Sequence, residues 1–201
     1  MPLSFKKYNQ GQGLLEVVVA IGVLSTGVFS VLTLMTSGLN AAIENKERLK
    51  AGNLAREGIE TVRSIRDSNW LKSNVFDVGL VGVGLDYDGI ASFDTVTGQW
   101  IVDFTVNGMD DTRAQFYALS DQMLIQWSAA MGAPPATAEP ARRLLTLNPI
   151  CYDTVTGIYT TISSGSCPDK KVGIEVRSEV RWSVGARAHN LSYIEQIYDW
   201  R

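Results

Sequence analysis

The chain has 201 residues, 45% of them hydrophobic, and a formal charge of −3, enough to bury one modest core and short for two domains. No overall basic excess exists, so nucleic acid is not indicated as a partner. A single histidine, His189, and two cysteines without a CxxC pair leave little for metal or redox chemistry, and no catalytic residue, metal site or cofactor is predicted.

The first predicted element is an apolar helix. From Leu14 to Leu39 the residues are apolar or small, with no lysine or arginine. At about 1.5 Å per residue this stretch reaches about 39 Å, more than a hydrocarbon core of about 30 Å. Lys6 and Lys7 precede it and the bulk of the chain follows, so the positive-inside rule places the first residues in the cytoplasm and the remainder outside. A secretory signal also joins basic residues to an apolar run, but this run is longer than such a core and lacks an A-x-A cleavage site. Glu16 sits within its first turns. A carboxylate there costs roughly 2.5 to 3.5 kcal/mol at the bilayer centre and asks for a partner. Alternatively it lies at headgroup level, favoured by the helix dipole.

The string Gly11-Gln12-Gly13-Leu14-Leu15-Glu16-Val17-Val18-Val19-Ala20 resembles the type IV prepilin signature, in which a glycine precedes the cut and glutamate is the fifth mature residue. The resemblance implies cleavage between Gly11 and Gln12 by a membrane prepilin peptidase on the cytoplasmic side, with N-methylation of Gln12. It implies that Glu16 pairs with the N-terminal amine of an adjacent subunit, compensating an otherwise costly charge. The implied partners are that peptidase, other pilin or pseudopilin subunits, an inner-membrane assembly platform, and membrane lipid before assembly. Gln12 replaces the usual phenylalanine and Gly13 the usual threonine, a departure that favours a minor pilin over a major subunit.

Beyond Leu39, Ala51, Leu54, Ala55, Gly58, Ile59, Val62 and Ile65 recur at three- and four-residue spacing, one apolar helical face. Glu44, Lys46, Glu47, Arg48, Arg56, Glu57, Glu60 and Arg63 fill much of the rest. A continuous helix from Leu14 to Ile65 is expected, with Gly22, Gly27 and Gly38 as places to bend. A coiled-coil stalk is the alternative, but sustained heptads are missing. The run from Asn53 to Arg63 also resembles the helix of minor pilins of the PilV-like group.

Past Trp70, short β-rich runs are expected, starting around Val75 to Leu85. Phe93-Asp94-Thr95-Val96-Thr97-Gly98-Gln99-Trp100 and Tyr152-Asp153-Thr154-Val155-Thr156-Gly157-Ile158-Tyr159 read as two hairpins, each with Asp at the turn entry and Gly where positive φ is needed. Val172 to Val184 and His189 to Tyr198 read as strands joined at Gly185. Ile174, Val176, Val180, Trp182 and Val184 form the core-facing set, with a face switch or bulge near Ser178. Leu144, Leu145 and Leu147 supply another strand after a Pro-rich linker from Ala133 to Pro140. The region from Asp110 to Met131 fits a helix, through Phe116, Leu119, Met123 and Trp127, or short strands. Cys151 and Cys167 flank a Gly/Ser-rich loop; in an exported domain a bridge closing roughly 15 residues contributes about 3 kcal/mol, the other reading being reduced thiols. Asp86, Asp88 and Asp94 lack the spacing and closing glutamate of an EF-hand and read as turn carboxylates.

The expected architecture is α+β: a long N-terminal transmembrane-then-amphipathic helix packed on a C-terminal antiparallel sheet. It divides into a leader (residues 1–11), a transmembrane half-helix (12–39), an amphipathic half-helix (40–66) and an exported β-rich domain (67–201). The function that follows is a minor pilin, an inner-membrane single-pass precursor that enters a cell-surface pilus. The alternatives are a minor pseudopilin of a type II secretion system, in a periplasmic pseudopilus, and an anchored binding ectodomain that never polymerises.

Overall fold

The computed structural model describes residues 12–82, 87–94, 97–120, 123–127, 137–163 and 165–200. The chain divides into two units, Met1–Lys46 and Glu47–Arg201. One helix, α1 (Gln12–Leu71), contributes to both, and it passes without interruption through Gly22, Gly27 and Gly38.

In the second unit α1 outruns the expected end at Ile65 by more than a turn. The cause is tertiary. Arg66, Asn69 and Trp70 are buried, and the Asn69 amide donates to the carbonyls of Phe76 (3.1 Å) and Val78 (2.8 Å). Ser73 then takes a left-handed conformation, φ 57°, and the Asn74 N–H returns to the Asn69 carbonyl at 2.9 Å, closing the helix as a C-terminal cap does. Among the described residues, 75–82 do not form the strand expected there. Residues 75–82 form turns in which Phe76 and Leu80 join Trp70 in the core; residues 83–86 lie outside the described set.

Eight strands follow: β1 (Asp88–Asp94), β2 (Gln99–Asp103), β3 (Gln115–Ser120), β4 (Met123–Gln126), β5 (Ala138–Tyr152), β6 (Tyr159–Thr161), β7 (Lys170–Val184) and β8 (Arg187–Tyr198). All pairings among them are antiparallel. β5 is the hub. One of its edges pairs with β7, while the other is shared by β3 near Arg142, β1 near Leu145 and β6 near Cys151. β7 then pairs with β8 from Gly173↔Tyr198 to Val184↔Arg187.

Both Asp/Gly hairpins form. In the first, Gly98 has φ 65° and its N–H donates to the Asp94 carbonyl at 2.8 Å. In the second, the Asp153 carboxylate accepts from the Val155 and Thr156 N–H groups and Gly157 has φ 71°, a turn built by Asx bonding and a left-handed glycine.

The apolar face of α1 lies on this sheet. Ile59 and Val62 pack with Leu145, Leu147, Ile174, Val176 and Ile197; Ala51, Leu54 and Ala55 pack with Phe116, Ala141, Val180 and Trp182. Each fully buried Val, Leu or Ile contributes about 1.5–3 kcal/mol. Leu144, in contrast, joins a separate cluster with Ile90, Val106, Met109 and Ala114. The expected face switch at Ser178 does not occur. Ser178 is itself on the buried face with Ile174, Val176, Val180 and Trp182, opposite Gly58 of α1, where a Cβ would meet its Oγ at 2.8 Å and Leu145 Cδ2 at 2.8 Å. Helix and sheet approach so closely there that any side chain at position 58 would press on Leu145, Ser178 and Arg143.

Between Asp110 and Met131, the described residues are a short 3-10 turn (Thr112–Ala114) followed by β3 and β4, so strands prevail over the helical reading. The Pro-rich linker also ends sooner than expected. Ala138 to Pro140 belong to β5, where the register with β3 shifts between Gln115↔Arg142 and Tyr117↔Ala138, an irregularity that accommodates a proline lacking an N–H. Residues 128–136 lie outside the described set.

Candidate functional site

The first candidate site is the start of α1. Gly11 and the rest of the expected leader lie outside the described residues, and Gln12 is the first residue of the helix. From Gly13 to Lys46 every residue is exposed, including Leu14 at 73%, Phe29 at 69% and Leu34 at 72%. α1 is one helix long and apolar enough to cross a membrane, and none of its apolar window is buried. That exposure separates it from the buried helix of a soluble core, which has the same composition.

Five of the six hydroxyls between Gln12 and Leu39, all but that of Ser37, bond within the helix. The hydroxyls of Ser25, Ser30 and Thr33 donate to carbonyls four residues earlier, at 2.7, 2.7 and 2.8 Å. Those of Thr26 and Thr36 reach carbonyls three residues back, at 2.8 and 3.0 Å. A helix that satisfies most of its own hydroxyls can enter hydrocarbon at little cost in unpaired donors. Glu16 is the one ionisable side chain between Gln12 and Ile43. It is exposed, one turn in from the helix start, where the uncompensated N–H groups favour a negative charge.

In the second unit the chemistry is structural. Cys151 and Cys167 form a disulfide across a sequence separation of 16. It staples the hairpin of β5 and β6 to the segment entering β7, beside Asp169, whose carboxylate accepts from the Thr154 N–H at 2.8 Å. Of the three turn aspartates, Asp86 lies outside the described residues. Asp88 accepts from the Thr146 hydroxyl and Asp94 from the Thr97 hydroxyl, each at 2.6 Å. Among the described residues no group of three or more His, Cys, Asp or Glu side chains converges.

Three features were not expected. Arg143 is 1% exposed: it donates to the Leu54 carbonyl at 2.7 Å and to Gln126 Oε1 at 2.9 Å, lies 3.5 Å from Glu57, and stacks on Phe116. Burial pushes this guanidinium below its ordinary pKa, and Glu57 opposes the shift. Its alternation with Ala141, Leu145 and Leu147 on β5 was the available signal. Asp111 is clamped by Arg113, which holds its carboxyl well below the usual carboxylate range, with an Nη2–Oδ2 distance of 2.8 Å. Arg56 lies over the Tyr193 ring, 5.6 Å from its centre, beside a cleft of about 320 Å³ lined by Arg56, Ile59, Glu60, Tyr193, Ile194 and Glu195. Comparison with protein-family models, with curated proteins and with solved structures returned no match.

Proposed function

We propose that this chain is a minor type IV pilin: a structural subunit rather than an enzyme, clipped between Gly11 and Gln12, methylated on Gln12, and assembled into a filament through its N-terminal helix. The observation that carries this reading is the exposed apolar helix with a lone carboxylate, Glu16, one turn from its start. Such a surface needs lipid first and apolar neighbours later. In the filament the Glu16 carboxylate meets the new amine of an adjacent subunit's Gln12, and that pair sets the axial register, since either charge alone is costly in apolar surroundings. The helix and sheet of the second unit present a folded body on the outside of the fibre, held by the inner membrane before assembly.

The test is co-expression with a prepilin peptidase, followed by intact and N-terminal mass analysis. Loss of Met1 to Gly11 with a methylated Gln12 supports the reading. An uncut chain points instead to a non-polymerising membrane anchor. Glu16→Ala is expected to leave cleavage largely intact and to abolish incorporation into filaments; normal incorporation refutes the role given to Glu16.

A further inference from the structure

β8 is the longest edge of the sheet. It has 12 residues, against 5, 4 and 3 in β2, β4 and β6, and among the described residues its one partner is β7. From Arg187 to Tyr198 it contains no proline and no lysine, and its pairing with β7 runs in continuous register without a bulge. Apart from the charges of Arg187 and Glu195, the usual protections of an exposed edge are missing, and a row of backbone donors and acceptors is left to pair. Beside this edge the cleft of about 320 Å³ opens between α1 and β8. Ile59, Tyr193 and Ile194 are its apolar lining. The charges around it are unequally matched: Arg63 pairs with both Glu60 and Glu195, whereas among the described residues Arg56 has the Tyr193 ring and no carboxylate.

We propose that β8 takes up an extended strand from another polypeptide. That strand lays one apolar side chain on Ile59 and Tyr193 and brings an acidic side chain to Arg56. Backbone bonding along β8 supplies affinity, and the cleft, through alternate side chains of the added strand, supplies selectivity. The occupant is not a second copy of this edge. Twofold pairing of β8 with itself would carry a second Arg56 to the same seam, cation against cation, a juxtaposition that costs rather than stabilises.

The experiment uses the full chain in detergent and hydrogen exchange read at β8. The probe is a short synthetic peptide alternating threonine with valine and carrying one aspartate on the valine face; its twin carries lysine instead. The aspartate peptide is expected to slow exchange of β8 amides and to bind about tenfold more tightly than the lysine peptide. Arg56→Glu is expected to reverse that preference while β7 amides stay protected, which shows that the variant is folded. Arg56→Gln should remove the preference without reversing it. Equal binding of both peptides, or unchanged β8 exchange with either, overturns the proposal. So does a species of doubled mass with β8 already protected in the absence of peptide, since the edge would then be filled by the chain itself.

Discussion

Arg143 shows how one side chain joins two distant parts of the chain. Its guanidinium reaches from β5 to the Leu54 carbonyl on α1, 89 residues away in sequence, and to Gln126 on β4. Truncation strands Gln126 and leaves a void, so Arg143→Ala is expected to cost about 3–5 kcal/mol. Arg143→Met keeps the volume and is expected to cost about 1–3 kcal/mol, the penalty for unsatisfied acceptors. Denaturation followed by tryptophan fluorescence measures both. Asp111 makes a pH prediction. Its folded carboxyl is held below the ordinary value by the Arg113 hydrogen bond, with backbone N–H bonds from Arg113 and Asn107 adding to it. The stabilisation is therefore fully present above the unfolded value of about 4 and is lost as pH falls through the folded one. Asp111→Asn should lower the melting temperature at neutral pH, and the gap to the unmodified protein should close in strong acid. The placing of Arg143 on the apolar face of β5 was in the residues, but its partners come from α1 and β4, and the clamp on Asp111 depends on a local turn geometry that composition does not encode.

The long helix and the C-terminal hairpin were the most legible elements, since periods of 3.6 and 2 are read from apolar positions alone. The misreadings have separate causes. Valines alternating with glycines after Val75 look like a strand, yet Asn69 captures two carbonyls of that segment and turns it into a plug beneath the helix. Ser178 looks like a change of face, because counting hydrophobicity cannot show that it is buried where β7 meets Gly58 of α1. That contact is testable. Gly58→Val should overpack the helix–sheet seam and cost about 1–3 kcal/mol, or more if the strands cannot shift; thermal melts of the full chain in detergent measure it. Reduction of the Cys151–Cys167 disulfide should remove about 3 kcal/mol. Hydrogen exchange is expected to quicken first at β6, whose residues Tyr159–Thr161 are all exposed, while the hairpin of β7 and β8 holds.

For the molecule as a whole, the property to account for is a fully exposed apolar surface from Gly13 through Leu39. A lysine in the middle of that span tests the membrane assignment directly. Val23→Lys is expected to weaken insertion by about 2.5–3.5 kcal/mol, read as release of the chain from carbonate-washed membranes; full retention counts against the span. The site itself was only partly legible. The carboxylate in an apolar helix is visible in the residues, whereas the cleft beside β8 exists only once residues near 56 and 193 are brought together.

The hub position of β5 carries a consequence for synthesis. The apolar face of α1 from Ala51 to Val62 is covered by β3, β5, β7 and β8, all of which leave the ribosome after it. Only local hairpins such as β1 with β2 can form early, and the contacts that close the core span most of the chain, a topology expected to fold slowly. Until β5 and β7 have emerged, most of the apolar stripe of the amphipathic half-helix has nothing of its own to rest on. The newborn chain therefore needs an external shelter, a chaperone or the membrane surface, for longer than its modest size suggests.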